Sequence, residues 1–196
     1  MQGFNYKKAT QALNYLVEAN GGILNKMKAI KFIWLADRLH IRKYGRMITS
    51  DVYFALPFGP VASTTRNILE LNEIFLTKVE FDYCSEFIEN SDKYNFSSHK
   101  EPNLKVFSKT DIETLEIVLN QYNSLTEFQL SDLSHSFPEW KRYESSLNAK
   151  LASRFEIDIN DFFIDMEDGS GLFVDSKERI DISKEIFADI QKSPIC

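Results

Sequence analysis

Cysteine and histidine are scarce in this sequence, which holds two cysteines and three histidines among 196 residues. Cys84 and Cys196 lie far apart and form no CxxC motif, so no disulfide framework or zinc ribbon is indicated. This cysteine usage is typical of a reducing compartment, and we predict a cytoplasmic protein. His40, His99 and His135 lie in separate segments without the spacing of metal ligands, and the sequence therefore predicts no metal site.

Long apolar runs and an excess of positive charge are also absent. No stretch approaches the roughly 18 apolar residues that span a bilayer, and the N-terminal residues lack the apolar core of a signal peptide, so no membrane segment is expected. Acidic side chains number 29 and basic ones 23, for a formal charge of −6. Because phosphate neutralisation supplies most of the affinity for nucleic acids, this balance disfavours nucleic acid as the main partner. One basic cluster is predicted to be the solvated face of a helix: Lys26, Lys28, Lys31, Arg38, Arg42, Lys43 and Arg46.

The motifs of common enzyme classes are missing as well. There is no glycine-rich phosphate loop, no G-x-S-x-G elbow and no dinucleotide fingerprint. Cys84 could act as a thiol nucleophile with His99 or His135 as its base. A lone cysteine among aromatic residues is more often a small core residue. We therefore predict no catalytic residue, no cofactor and no enzyme activity. A hydrolase using Cys84 or His135 is the alternative.

Helical periodicity dominates the residues that are present. Helices are predicted over residues 6–20, over 25–45 after an Asn25 cap, from Pro60 to about Leu71, after a Thr110–Glu113 capping box, from a Thr126–Gln129 capping box to Pro138, from Trp140, and from Ser183. Hairpins are predicted over residues 86–97 and over 162–176 around the turn EDGSG. The predicted fold class is α+β, predominantly helical, with about six to seven helices and small β-hairpins. We expect one domain over residues 1–148, with a C-terminal hairpin and helix over 149–196 packed on it.

Asp37 interrupts the apolar stripe of the second helix. It follows Trp34 by three residues and precedes Ile41 by four, so helical geometry points it at the core. A buried carboxylate needs a cation or backbone N–H donors. Two partners are expected for Asp37: the N-terminus of the helix that begins near Pro60, or Arg66 within that helix. A helix kink or a water molecule is the alternative explanation.

The segment FALPFGPVAS, residues 54–63, carries two aromatic residues, two prolines and a glycine but no charge. We predict a buried corner in which Gly59 turns the backbone and Pro60 begins a helix. Phe54 and Phe58 are expected to pack on the Trp34 face. The alternative is a surface that grips a partner, directly or through a neighbour such as Tyr53.

Two blocks of the sequence resemble the Panacea domain of the SocA-like antitoxin family. The first matches the family pattern at Lys31, Phe32, Ile33, Trp34, Ala36, Asp37, Gly45, Phe54, Ala55, Gly59, Pro60 and Val61, and the second at Leu133, Ser134, His135 and Trp140. Trp34 stands where the family usually has tyrosine. The resemblance covers most of residues 9–145, and it implies that residues 1–148 form a domain of this type.

The resemblance also implies a function. Members of this family look like the antitoxin half of bacterial and phage toxin–antitoxin pairs, and they bind their cognate toxins directly. One branch resembles an adaptor that hands its toxin to a protease. The expected partners are therefore a protein toxin and, for the adaptor variant, a protease. A DNA-binding autoregulator of its own operon, or a phage-associated accessory protein, is the alternative.

The candidate site residues follow from the corner and the two matching blocks. His135 is expected near the end of a helix, where it either binds terminal carbonyls or packs on Trp140. The full set, with a structural or partner-binding role, is Trp34, Asp37, Tyr53, Phe54, Phe58, Gly59, Pro60, His135 and Trp140.

Overall fold

The computed structural model describes residues 3–166 and 171–192. In chain order the elements are α1 (Tyr6–Ala19), β1 (Ile23–Asn25), α2 (Lys26–Tyr44), β2 (Tyr53–Leu56), β3 (Gly59–Ala62), α3 (Ser63–Leu69), α4 (Lys78–Ser85), β4 (Ile88–Asn90), β5 (Asn95–Ser98), α5 (Lys109–Tyr122), α6 (Glu127–Ser134), α7 (Pro138–Asn148), β6 (Phe155–Glu156) and α8 (Lys177–Lys192), with 3-10 turns at Leu104–Val106, Ile159–Phe163 and Gly171–Phe173. The α+β, mainly helical class is confirmed. No helix in these described ranges is long and apolar enough to cross a bilayer.

The described residues contain eight α-helices, against the predicted six to seven. The helix that was missed is α4, which lies where the sequence shows no apolar helical period. It begins at a capping box in which the Thr77 hydroxyl accepts a hydrogen bond from the backbone N–H of Glu80, and the Glu80 carboxylate accepts one from the backbone N–H of Thr77. The capping box near the start of α5 is formed by Ser108 and Asp111 rather than by Thr110 and Glu113.

Helix α2 is the centre of the fold. It packs against α5, α8, β3, α6 and the 3-10 turn at Ile159–Phe163, so neighbours surround it on several sides. Every residue from Ala29 to Arg42 is buried. The Asn25 side chain caps its start, and Gly45, at a φ of 67°, ends it in the left-handed conformation. The prediction of a solvated basic face is therefore wrong for Lys31, Arg38 and Arg42.

In the described part of the chain, two antiparallel three-stranded sheets flank the helices, with strand orders β1-β5-β4 and β3-β2-β6. The β4–β5 hairpin confirms the prediction for residues 86–97. The predicted hairpin over residues 162–176 is wrong, because the described part of that segment forms 3-10 turns; residues 167–170 lie outside the described residues. Consecutive Phe162 and Phe163 are both buried, which a strand facing the core on one side does not allow.

The segments after α7 pack against elements from the first third of the chain. Strand β6 pairs with β2, and α8 packs against α2. Helix α8 begins at Lys177, before the predicted start at Ser183. A Cβ atom on Gly45 would lie 2.5 Å from the Cβ of Ile186, so the glycine at the end of α2 also permits α8 to approach closely.

Candidate functional site

Asp37 is fully buried, as predicted, but its partners are not the predicted ones. The carboxylate accepts hydrogen bonds from the backbone N–H groups of Ile48 (2.7 Å) and Thr49 (3.0 Å), and from the hydroxyls of Thr49 and Tyr53 (2.7 Å for Tyr53). Burial raises the pKa of the Asp37 carboxyl, and these hydrogen bonds oppose that rise because they stabilise the ionised form. Asp37 thus connects the loop after α2 to the buried middle of that helix.

The partners expected for Asp37 are engaged elsewhere. The N-terminus of α3 is capped by Asp51, whose carboxylate accepts hydrogen bonds from the backbone N–H groups of Thr64 (2.9 Å) and Thr65 (2.7 Å). Arg66 pairs with Glu70, one turn further along α3, at 2.8 Å. Because Asp51 provides the cap, the helix begins at Ser63 rather than at Pro60.

Pro60 belongs to strand β3, where it pairs with Ala55. An edge strand tolerates proline because one side of its ladder needs no donor. Residues Pro57 and Phe58 connect β2 to β3, and Gly59 follows them at a φ of 93°. The corner is therefore a tight β-hairpin turn rather than the start of a helix.

Three side chains from three helices hold the backbone of this turn. The Lys31 ammonium of α2 donates to the carbonyls of Phe58 and Pro60. The Ser131 hydroxyl of α6 donates to the Phe58 carbonyl at 3.1 Å, and the Trp140 indole N–H of α7 donates to the Leu56 carbonyl at 2.8 Å. The turn is consequently held in one position relative to the helical core.

Gly59 is required because the hairpin turn lies very close to side chains of α2 and α6. A Cβ atom at this position would lie 1.9 Å from Oγ of Ser134 and 2.4 Å from Nζ of Lys31. No side chain larger than hydrogen fits there without moving α6 or the hairpin, and the positive φ also favours glycine.

The Phe58 side chain points away from the core, and its exposed fraction is 62%. The prediction that it packs on the Trp34 face is therefore wrong. The Trp34 ring packs on Phe137 instead, with ring centroids 4.7 Å apart. Phe54 is half-buried, and the guanidinium of Arg154 lies 4.5 Å from its ring centroid. The backbone of the turn is therefore held in place, while the Phe58 ring lies on the surface.

Tyr53 does not reach a partner surface, because it is fully buried and its hydroxyl donates to Asp37. His135 caps the C-terminal end of α6, and its ring stacks on Trp140 with centroids 3.8 Å apart. Burial, together with the charge of Lys31, lowers the pKa of the His135 imidazole. Of the two arrangements predicted for His135, binding to terminal carbonyls or packing on Trp140, the ring shows the packing on Trp140.

A groove of about 700 Å³ opens beside the exposed Phe58 ring. Its apolar lining comes from α2, the β2–β3 hairpin and α3: Met27, Ile30, Leu56, Val61 and Leu69. Two more aromatic side chains border it, Tyr94 from the β4–β5 loop and Phe128 from α6, with exposed fractions of 63% and 61%. The sequence alone indicates neither residue, because neither stands in a motif and the segments that meet here are distant in the chain.

Lys31 also lines this groove, although it was predicted to lie on a solvated helix face. Its exposed fraction is 1%, and within the described part of the chain no salt bridge joins it to a carboxylate. Burial lowers the pKa of its ammonium to about 7. The two carbonyls of the hairpin turn are therefore its main polar partners.

The lowered pKa of Lys31 predicts how stability depends on pH. Between pH values of about 7 and 10.5 the unfolded chain holds a proton at Lys31 that the folded chain has lost, so the free energy of unfolding rises with pH in that window. From pH 7 to pH 9 we expect the parent to gain about 2 kcal/mol more than Lys31→Met gains. Urea unfolding at both pH values measures the difference. The exposed Lys105→Met variant should follow the parent, and parallel pH profiles for the parent and Lys31→Met would contradict the shifted pKa.

Buried charged groups beneath the hairpin form a structural cluster. The Arg38 guanidinium donates to the Glu139 carboxylate at 2.9 Å, and the Trp34 indole N–H donates to the same oxygen at 3.1 Å. Arg42 donates to the carbonyls of Phe162 (3.1 Å) and Ile164 (3.2 Å). These arginines therefore tie α7 and the segment after β6 to α2.

Cys84 is the thiol that the sequence offers as a candidate nucleophile. Cys84 is buried, its sulfur lies 3.0 Å from the Thr10 hydroxyl, and burial raises the pKa of its thiol to about 11. A thiolate at this position is therefore disfavoured at neutral pH. Over residues 3–166 and 171–192, no three His, Cys, Asp or Glu side chains form a cluster that could hold a metal ion.

A family model described as "Antitoxin SocA-like, Panacea domain" matches residues 30–141, which is more than half of the chain. The matched range contains most of α2, the β2–β3 hairpin, α6 and Trp140. No curated protein and no solved structure matches the chain.

Proposed function

This chain belongs to the SocA-like antitoxin family, Panacea domain, and from that membership we propose that it is an antitoxin that binds and neutralises a cognate protein toxin. The toxin would be the other half of a bacterial or phage toxin–antitoxin pair. Neutralisation by direct contact requires a surface that a folded partner can recognise. The groove next to Phe58 is the surface we assign to this role.

The observation that carries the assignment is an exposed phenylalanine on a rigid turn. Aromatic side chains dominate the binding energy of many protein interfaces, and they do so best when little conformational freedom is lost on binding. The backbone around Phe58 is already held by Lys31, Ser131 and Trp140, so a partner would not have to order it. Tyr94 and Phe128 extend the same aromatic surface.

The genetic test is coexpression with the neighbouring open reading frame. We expect that frame to arrest growth when expressed alone and to be tolerated together with this protein. Copurification of the two chains then tests direct binding. Protection without a complex, or the absence of any neighbouring frame that arrests growth, would contradict the proposal.

Substitution of Phe58 tests the groove itself. We expect Phe58→Ala to weaken toxin binding at least about 30-fold, as for the loss of a hot-spot aromatic residue, and to abolish protection while leaving the melting temperature nearly unchanged. Phe75→Ala is the matched control, since Phe75 is 66% exposed and does not line the groove. Binding calorimetry on the purified pair measures both. If Phe75→Ala weakens binding and Phe58→Ala does not, the binding surface lies elsewhere.

The same system separates the other hypotheses. An adaptor would lose protection in cells that lack the relevant protease, whereas a direct inhibitor would keep it. An autoregulator would shift its own operator DNA at physiological salt. A hydrolase using Cys84 or His135 would lose protection on substitution of that residue by alanine.

A further inference from the structure

The groove differs in charge from the protein that carries it. Three basic side chains, Lys26, Arg66 and Lys93, line it against the acidic Glu70 and Glu127. The buried Lys31 adds only a partial positive charge at pH 7, because burial lowers the pKa of its ammonium to about 7. The whole chain has a formal charge of −6. An apolar groove with a basic border on an acidic protein favours a ligand that combines apolar and acidic groups.

Both acidic residues of the lining already have basic neighbours. Glu70 pairs with Arg66 at 2.8 Å. Glu127 lies close enough to Lys28, outside the groove, to raise the pKa of that lysine against the larger lowering effect of burial. The lining carboxylates are thus compensated by side chains of this chain, and an incoming partner meets little net negative charge from them.

Lys26 and Lys93, in contrast, are available to a partner. Neither forms a salt bridge with a carboxylate within the part of the chain that the structure describes. Lys93 lies 5.2 Å from the centroid of the Tyr94 ring, and Lys26 donates to backbone carbonyls of the β4–β5 loop, at 3.4 Å. The nearby Asp92 carboxylate accepts hydrogen bonds from Asn95 and Tyr94 of its own loop, and these bonds lower the pKa of its carboxyl, with a smaller contribution from the charge of Lys26. The Tyr94 end of the groove therefore joins an aromatic ring to two basic side chains.

The backbone beside the groove restricts how a partner can bind. Strand β3 is the edge of its sheet, but Pro60 has no N–H group and its carbonyl is occupied by Lys31. Addition of a partner strand to this edge would leave hydrogen bonds unmade, at a cost in affinity. Recognition through side chains remains, and an amphipathic helix laid into an apolar groove is a common form of it.

We propose that the groove binds an amphipathic helix of the toxin whose apolar face enters between Phe58, Tyr94 and Phe128 and whose Asp or Glu side chains meet Lys26 and Lys93. This inference rests on the proposed function and specifies the chemistry of the partner. The basic border selects acidic helices, while the negative charge of the rest of the protein repels acidic surfaces elsewhere.

The test uses the full chain as the target of a displayed library of random 16-residue peptides. We expect the enriched peptides to carry apolar residues at helical spacing together with Asp or Glu. The synthetic form of the best peptide should bind Lys26→Glu/Lys93→Glu at least 10-fold more weakly than the parent, and Phe58→Ala should also bind it more weakly. Lys105→Glu/Lys177→Glu, which changes the net charge equally at exposed positions outside the groove, should bind it like the parent.

Three results would overturn the inference: no enriched peptide, enriched peptides without acidic residues, or equal binding by the parent and Lys26→Glu/Lys93→Glu. If one of these is found while the protein still protects against its toxin, the proposed function stands and the groove chemistry is wrong. If acidic peptides bind as expected but no toxin is neutralised, the groove chemistry stands and the proposed function is wrong.

Discussion

Replacement of Asp37 by alanine is expected to lower the free energy of unfolding by about 3–5 kcal/mol, one of the two largest effects in this protein. The carboxylate accepts hydrogen bonds from two backbone N–H groups and two hydroxyls in a site with no exposed surface. Alanine leaves all of these donors buried without partners. It also releases the loop around Ile48 and Thr49, which connects α2 to the hairpin.

Urea unfolding of the parent and the variant measures this effect. Asp37→Asn should fall between them, because an amide oxygen can still accept from Ile48 and Thr49 while the amide NH₂ meets the hydroxyls poorly. The exposed Asp181→Ala variant is the control and should change stability by less than about 0.5 kcal/mol. A melting temperature for Asp37→Ala equal to that of the parent would show that the buried carboxylate does not hold the loop.

Replacement of Arg38 by methionine is expected to cost a similar amount, about 3–5 kcal/mol. Both side chains of the Arg38–Glu139 pair are fully buried, and Arg38 also donates to the Ile164 carbonyl at 2.7 Å. Removal of the guanidinium leaves Glu139 in the core with one side-chain donor among the described residues, the Trp34 indole N–H. Burial then favours protonation of the carboxyl, because it raises the pKa of Glu139.

A double variant separates the pair from its parts. Arg38→Met/Glu139→Leu should be less destabilised than the sum of the two single variants, since no unpaired charge remains in the core. Arg66→Met is the matched control, because Arg66 pairs with Glu70 on the surface, where such a pair contributes about 0–1 kcal/mol. Equal losses for Arg38→Met and Arg66→Met, or strict additivity in the double variant, would contradict this account.

Features that depend on near neighbours in the chain were predictable. The Asn25 cap, the end of α2 at Gly45 and the Thr126–Gln129 capping box are all present, because each involves residues within about one helical turn. The β4–β5 hairpin follows from alternating residues on either side of a polar turn. Helix α4 shows the limit of this reasoning, since its capping box is local but its sequence has no apolar stripe to indicate a helix.

The charged residues of α2 show what periodicity does not reveal. A single apolar stripe predicts one buried face, which suits a helix on the surface of a protein. Helix α2 instead lies among α5, α6, α8 and β3, so its polar face is buried too. Lys31, Arg38 and Arg42 find carbonyl or carboxylate partners that lie from 27 to 126 residues away in the chain. No local pattern specifies such partners.

The sequence by itself determined the fold class, most of the helices, the burial of Asp37 and the family, because these depend on spacing within short segments. Only the tertiary structure decided that Asp37 binds the loop after α2, that Pro60 lies in a strand and that Phe58 is exposed. The groove also belongs to the tertiary structure, because its walls come from α2, the β2–β3 hairpin, α3, the β4–β5 loop and α6. Whether a side chain in the groove is buried or exposed depends on which distant residues contact its backbone. Those contacts form only when all these segments pack together.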